Sequence, residues 1–174
     1  MSKFILSIMM ACLTIGASAQ KTYAIITGVS NYEGTANDLA QSSKDAKNIA
    51  ALYKNKGATV FTLTSSYATK EKIIETIKKV ASAAKSTDHI VFSYSGHGAP
   101  NTICTYTTGN QQMMTYPELF EELKKCKAKD ITCFVDACFA GSASNAAKNE
   151  EVYDKDYLKA LVKADNRLIL FLSS

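Results

Sequence analysis

The chain has 174 residues, enough for one domain, and its 47% hydrophobic and 21% charged residues are typical of a globular protein that buries a core. The net charge of +4 is small, and the lysines are scattered among acidic residues on predicted helix faces. Because no cluster of arginines with interleaved aromatic residues is present, the composition argues against nucleic-acid binding.

The first 19 residues have the pattern of a secretory signal peptide. Lys3 precedes an apolar run at 4–15 that is too short for a comfortable membrane span, and Ala17-Ser18-Ala19 forms an A-x-A cleavage site. We therefore expect cleavage after Ala19. The mature chain, 20–174, is expected to have no stable membrane span and to be exported to the periplasm or the extracellular space.

Short β-rich runs alternate with amphipathic helices along the mature chain. The predicted strands are 22–29, 58–64, 88–96, 130–138 and 167–174, and the predicted helices are 38–57, 69–85, 115–127 and 156–164. Thr69 is expected to cap the second helix, and Thr115 with Glu118 to form a capping box on the third. A hairpin is predicted at 101–115, around Gly109-Asn110.

This alternation predicts an α/β fold with a mostly parallel central sheet and helices on both faces. The first, third and fourth strands are nearly continuous apolar runs, which is typical of central strands buried on both sides. The last strand is unusual, because 168–172 is apolar throughout and only two serines follow. We expect a fragment that lacks the last part of its domain; the alternative is an edge strand of a small domain.

Two predicted strands end in residues with catalytic chemistry. His97 lies between Gly96 and Gly98 just after the third strand, and Cys138 ends the fourth. Functional groups gather at the carboxyl ends of parallel strands, so both side chains are expected at one edge of the sheet. An imidazole promotes formation of the reactive thiolate, and the N–H groups of Gly98 and Cys138 are candidate oxyanion donors.

Either residue alone has a plainer interpretation, because a single cysteine is usually a small buried residue and a histidine near glycines is often a turn residue. Cys104, Cys126 and Cys133 lack the strand-end context, and we interpret them as structural. His89 stands at the start of its strand and is not expected to be catalytic. With no C-x-x-C pair, the sequence predicts neither a disulfide scaffold nor a structural zinc site.

The motifs YSGHG (94–98) and DAC (136–138) resemble those of the caspase-like cysteine peptidases of clan CD, family C14, and are closest to bacterial metacaspases. The caspase signature is Q-A-C, whereas Asp136 replaces the glutamine here and gives the D-x-C form of metacaspases. IITGVSNY (25–32) and SSKDAKNIAALYKNKG (42–57) are similar to the first strand and first helix of that family.

The resemblance covers about residues 22 to 174 and implies a caspase-like three-layer sandwich, truncated after the fifth strand. It implies a catalytic dyad of His97 and Cys138, an oxyanion hole of Gly98 and Cys138, and a P1 pocket of Asp45, Ser95 and Asp136. Asp136 interrupts an apolar strand end, where a carboxylate is costly unless something pairs with it. Its partner is either a set of loop N–H groups or a basic side chain of the substrate.

We therefore expect an exported cysteine endopeptidase that cleaves peptides or proteins after Lys or Arg. Two alternatives stay open: a catalytically silent caspase-like domain that binds peptides or proteins, and a thiol redox or acyl-transfer protein that uses Cys138. No cofactor or metal is implied. Calcium activation, which many metacaspases show, stays open: the sequence has no EF-hand loop, and we interpret the acidic residues at 150–156 as a solvated loop.

Overall fold

The computed structural model describes residues 19–32, 35–107, 113–137, 165 and 167–173. Within these residues the chain forms a five-stranded parallel sheet and a three-stranded antiparallel sheet. The large sheet consists of β1 (Thr22–Gly28), β2 (Thr59–Thr64), β3 (His89–Ser95), β7 (Asp130–Asp136) and β8 (Leu168–Ser173), in the order β2-β1-β3-β7-β8. The small sheet consists of β4 (Gly98–Ala99), β5 (Thr102–Cys104) and β6 (Met113–Thr115). The helices are α1 (Ser42–Asn55), α2 (Lys70–Ala83) and α3 (Tyr116–Lys124), with single 3-10 turns at Thr35–Asn37 and Ser65–Tyr67.

The predicted α/β fold with a mostly parallel sheet is confirmed. Thr69 caps α2 by accepting a hydrogen bond from the Lys72 N–H, and the predicted capping box opens α3. The predicted hairpin is present as the antiparallel pair β5–β6. Its expected turn, the helix predicted at 156–164, the signal peptide up to residue 18 and Cys138 lie outside the described residues.

The main hydrophobic core lies between the large sheet and the helices α2 and α3. The helical repeat puts Ile73, Ile77 and Val80 on one buried face of α2. They pack in one cluster with sheet residues such as Phe92 and Val135, which point to this side of their strands. Burial of this continuous apolar face fixes the register of the strands that carry the candidate catalytic residues.

On the opposite face of the sheet, α1 covers fewer strands than α2 and α3 cover on the core side. There α1 contacts β1, β2 and β3, and it approaches β1 closely at Gly28, where an added Cβ would lie 2.4 Å from the Ser42 carbonyl oxygen. Phe134 on β7 and Phe171 on β8 are exposed on their strands. The expectation that β7 is buried on both faces is therefore wrong for the described residues, because β7 lies beyond the strands that α1 mainly covers and faces a groove on this side.

Arg167 connects the start of β8 to the end of α3. Its guanidinium donates hydrogen bonds to three main-chain carbonyls, at 3.1 Å to Lys124, 2.7 Å to Cys126 and 3.1 Å to Ala128. Its Nε also donates to the Asp165 carboxylate at 2.9 Å. Lys124 is the last residue of α3, where carbonyls have no partner inside the helix, and Cys126 and Ala128 belong to the segment that follows, so Arg167 ties the end of α3 and this segment to β8.

Arg167→Met is expected to lower the free energy of unfolding by about 2–4 kcal/mol, because it leaves Asp165 and several carbonyls without their charged donor. Urea denaturation measures the change. Lys127→Met, at a nearby exposed lysine, is the control and should change stability by less than about 0.5 kcal/mol. Equal effects of the two substitutions would contradict the role of Arg167.

The same pair makes stability depend on pH. The Arg167 guanidinium, chiefly through its hydrogen bond, holds the pKa of the Asp165 carboxyl below its ordinary value. A lowered folded-state pKa gives stability that is present above the unfolded pKa of about 4 and is lost as pH falls through the folded value. The stability difference between wild type and Arg167→Met should therefore shrink between about pH 6 and pH 3. If the stability difference between wild type and Arg167→Met stayed constant over that range, protonation of Asp165 would not be linked to folding through Arg167.

Candidate active site

The parallel pairing of β3 and β7 aligns the two strand ends that carry the predicted dyad. Ser95 lies opposite Asp136, and the Gly96 N–H donates to the Asp136 carbonyl at 3.1 Å. His97 follows Ser95 by two residues, just as Cys138 follows Asp136 in the sequence. The register thus brings His97 and the residues that lead to Cys138 to the same edge, although Cys138 itself lies outside the described residues.

The His97 imidazole has a defined hydrogen-bond partner. Its Nε2 lies 2.8 Å from the main-chain carbonyl oxygen of Asn37, at the end of the 3-10 turn. A carbonyl oxygen only accepts, so Nε2 carries the proton and donates it. In the neutral imidazole this leaves the lone pair on Nδ1, which is therefore the atom that can accept a proton.

The Gly98 amide is oriented away from the small sheet. The Cys104 N–H donates to the His97 carbonyl at 2.9 Å, next to the antiparallel pair Gly98–Ile103. In an antiparallel ladder, a pair flanked in this way does not exchange hydrogen bonds, and its N–H groups point outward. The ladder therefore does not use the Gly98 N–H, which points away from β5, as the predicted oxyanion hole requires.

A groove of about 580 Å³ lies between α1 and the exposed side of β3, β7 and β8. The three residues predicted for the P1 pocket, Asp45, Ser95 and Asp136, all line it. Asp45 stands in the first turn of α1, while Ser95 and Asp136 are partners across the sheet. The structure thus brings together three residues that are far apart in the sequence.

The floor of this groove is apolar. Phe134 and Phe171 lie side by side on β7 and β8, with ring centroids 4.9 Å apart and an interplanar angle of 14°. Leu52 and Tyr53 of α1 add to the apolar lining. Two carboxylates beside apolar walls suit a side chain with a methylene stem and a cationic head.

Asp136 is exposed, whereas the sequence led us to expect a carboxylate that must be paired because it is buried. The reason is that β7 alternates, with Cys133 and Val135 facing the core and Phe134 and Asp136 facing the groove. Among the described residues no lysine or arginine forms an ion pair with Asp136 or Asp45. Desolvation of Asp136 would begin only when a ligand covers it.

The other cysteines and the second histidine lie away from this edge. Cys104, Cys126 and Cys133 are buried, and no disulfide joins any two of them. Burial raises the pKa of Cys126 to about 11 and that of Cys133 further, so both remain thiols at neutral pH. His89 starts β3 and pairs with Asp130 at 2.9 Å, at the amino ends of the strands.

Three residues that surround His97 were not predicted from the sequence: Tyr32, Asn37 and Tyr94. Asn37 acts through its main-chain carbonyl, so its side-chain identity carries no signal. Tyr32 packs its ring against the imidazole, with centroids 4.6 Å apart at 49°. Tyr32 and Tyr94 occur in the motifs quoted above, and aromatic hydroxyls next to strand ends were the signal that could have identified them.

In the part of the chain that the structure describes, no helix is long and apolar enough to cross a membrane. Within that part, no three His, Cys, Asp or Glu side chains are grouped as metal ligands would be.

Comparison with known proteins gives one family and matching solved structures. The family model Peptidase C14, described as the caspase domain, matches residues 21–174. The crystal structure of protein GSU0716 from Geobacter sulfurreducens is similar, with 26% identity and a TM-score of 0.59. The match covers 68% of this chain and 50% of that one, so this chain spans about half the length of that protein. A search of curated proteins gave no match.

Proposed function

This chain belongs to the caspase-domain family of peptidases, and from that premise we propose that it is an exported cysteine endopeptidase that cleaves peptide bonds after Lys or Arg. The observation that carries the proposal is the groove beside the strand ends, which collects Asp45, Ser95 and Asp136 next to the strand that leads to His97. The D-x-C motif supports the further proposal that the chain is nearest to the metacaspase branch of the family.

In the first step, the Sγ proton of Cys138 moves to Nδ1 of His97, which has the free lone pair while Nε2–H is bound to the Asn37 carbonyl. The thiolate then attacks the carbonyl carbon of the scissile bond. The carbonyl oxygen becomes an oxyanion, and the N–H groups of Gly98 and Cys138 are its donors in this proposal. The outward orientation of the Gly98 amide supports that role.

In the second step, Nδ1–H of His97 protonates the leaving amine as the C–N bond breaks, and the acyl group remains on Cys138 as a thioester. Water then attacks the thioester carbonyl while Nδ1 takes its proton, the C–S bond breaks to release the acid, and the leaving Sγ takes the proton back from Nδ1. The fixed hydrogen bond to Asn37 suits both steps, because it stabilises the imidazolium without competing for Nδ1.

Charge explains the proposed P1 preference. A lysine or arginine side chain in the groove places its stem near Phe134 and Phe171 and its head near the two carboxylates. An aspartate side chain would meet Asp45 and Asp136, which have its own sign. The chain has only one arginine, Arg167, and it is engaged with Asp165 and with main-chain carbonyls at and after the end of α3, so it does not supply the cation that an acidic P1 residue needs.

A second candidate is a catalytically silent domain that binds peptides. The exposed rings of Phe134 and Phe171 favour it, because an apolar floor serves binding whether or not a bond is cleaved. Incubation of the mature chain with a fluorogenic peptide library varied at P1 separates the two functions. Cleavage after Lys and Arg that iodoacetamide abolishes supports the peptidase, whereas saturable binding without cleavage supports the silent domain.

Export and maturation are part of the proposal. The A-x-A sequence at 17–19 supports cleavage after Ala19. Expression of the full chain in a bacterial host, followed by fractionation and amino-terminal sequencing, tests this directly. A mature chain that begins at Gln20 outside the cytoplasm is the expected result, and an intact chain in the cytoplasm would contradict it.

A further inference from the structure

Two tyrosine hydroxyls hold the main chain of His97 from both sides. The His97 N–H donates to Tyr32 Oη at 2.7 Å, and Tyr94 Oη donates to the His97 carbonyl at 2.7 Å. Tyr32 comes from the loop after β1, while Tyr94 is in β3 itself. We call this pair of residues the tyrosine clamp. It fixes the peptide groups on either side of the His97 Cα, from which the imidazole extends.

The two hydroxyls also interact with each other. Burial raises the pKa of Tyr94 well above its ordinary value, and a hydrogen bond with the Tyr32 hydroxyl contributes to the same shift. The hydrogen bonds thus run from the His97 N–H to the Tyr32 hydroxyl and on through Tyr94, whose Oη lies 2.7 Å from both the His97 and the Cys104 carbonyl oxygens. Hydrogen bonds in such a chain polarise and strengthen one another.

Gly96 leaves the space that the clamp needs. A Cβ added at Gly96 would lie 2.5 Å from Tyr94 Oη and 2.7 Å from Tyr32 Oη. Any side chain at this position would therefore displace both hydroxyls. The glycine before the histidine in the YSGHG motif is explained by the close approach of the two tyrosines.

The loop that carries Tyr32 also fixes the imidazole. The Tyr32 N–H donates to the Asp38 carboxylate at 2.9 Å, next to Asn37, whose carbonyl accepts from His97 Nε2 at 2.8 Å. The Tyr32 ring covers one side of the imidazole. His97 is thus held at its main chain by the clamp, at Nε2 by Asn37 and at one ring face by Tyr32, which leaves Nδ1 for proton transfer.

We propose that Tyr32 and Tyr94 are positioning residues that hold His97 in the orientation in which its Nε2–H reaches the Asn37 carbonyl, an inference that rests on the proposed peptidase function. The physical reason is that general-base catalysis depends on the distance and angle between Nδ1 and the thiol, and a misplacement of about 1 Å can cost about a hundredfold in rate. Neither tyrosine touches the substrate in this proposal.

Tyr32→Phe tests the clamp, because it removes the acceptor of the His97 N–H and keeps the ring against the imidazole. We expect kcat for a Lys peptide to fall by about tenfold to a hundredfold with KM nearly unchanged. The matched control is Tyr67→Phe, because Tyr67 is 69% exposed and removal of its hydroxyl should leave kcat unaltered. Tyr94→Phe should be at least as damaging as Tyr32→Phe, but it also risks misfolding, since Tyr94 is 1% exposed.

A spectroscopic measurement separates positioning from a general structural effect. The sequence contains only two histidines, so the imidazole ¹⁵N signals of His89 and His97 can be resolved in labelled protein. In the wild type, neutral His97 should be the Nε2–H tautomer. In Tyr32→Phe, its signals should move toward a mixture of tautomers while those of His89 stay in place.

The outcomes are distinct. An unchanged His97 spectrum in Tyr32→Phe overturns the clamp, and so does a changed spectrum with kcat equal to that of Tyr67→Phe. If the wild type cleaves no peptide, the proposed function fails on its own. The rate of Cys138 alkylation by iodoacetamide then replaces kcat as the measure of His97 positioning, with the same expected loss in Tyr32→Phe and the same contradiction if it equals the control.

Discussion

Cys138→Ala is expected to abolish peptidase activity, because it removes the only nucleophile of the proposed mechanism. His97→Ala should lower kcat/KM by about 10²–10⁴-fold, since the imidazole is the proton acceptor that forms the thiolate. The two residues act as a unit, so the double variant should be no less active than Cys138→Ala alone. Fluorogenic Lys peptides give the rates, and thermal unfolding shows whether each variant is folded.

Thiol labelling provides a control within the same protein. Cys104, Cys126 and Cys133 are buried, and burial also raises the pKa values of Cys126 and Cys133, so under native conditions iodoacetamide should add one label to the mature chain, at Cys138. Cys126→Ala should keep both the label and the activity. Peptidase activity above a few per cent in Cys138→Ala, or labelling at a different cysteine, would show that the nucleophile is assigned wrongly.

The fold could be predicted because local signals and topology agree. The apolar face of α2 and the Thr115–Glu118 capping box are local features, and both were recognised from spacing alone. The exposed side of β7 was not predictable in the same way. Phe134 gives its strand an apolar composition, but its burial depends on which helices reach that part of the sheet, and sequence periodicity carries no such information.

The site residues likewise divide into those that the sequence could predict and those that depend on tertiary structure. His97 and Asp136 could be placed because strand ends in a parallel sheet meet at one edge. Asp45 entered only through the family resemblance, and the groove supports it, because the first turn of α1 carries it to the side of β7. The role of Asn37 could not be predicted from the sequence, because its contact with His97 is made by a main-chain atom and depends on how the loop after β1 folds.

The exposure of Asp136 changes the energetics of specificity. In the free protein its carboxylate is hydrated, so it carries no penalty that a substrate must relieve. The penalty arises when a P1 side chain enters and removes water from the groove. A basic side chain then pairs with the carboxylate, while a neutral one leaves it desolvated and unpaired, and an acidic one adds repulsion. Discrimination between P1 residues should therefore appear in kcat/KM, which compares the enzyme-bound transition state with the free protein and free substrate.

Asp136→Asn is accordingly expected to lower kcat/KM for Lys and Arg peptides by about a hundredfold, or about 3 kcal/mol, the scale of a charged hydrogen bond within a partly desolvated site. Rates for peptides with a neutral P1 should change little, so the preference for basic residues collapses. Cys138 should be alkylated at the wild-type rate, because the dyad is untouched.

Asp130→Asn is the matched control, since it makes the same isosteric change on the same strand at the opposite edge, where Asp130 pairs with His89. A wild-type preference for aspartate at P1, or an equal loss for basic and neutral peptides in Asp136→Asn, would remove both the pocket and the placement of this chain near the metacaspases.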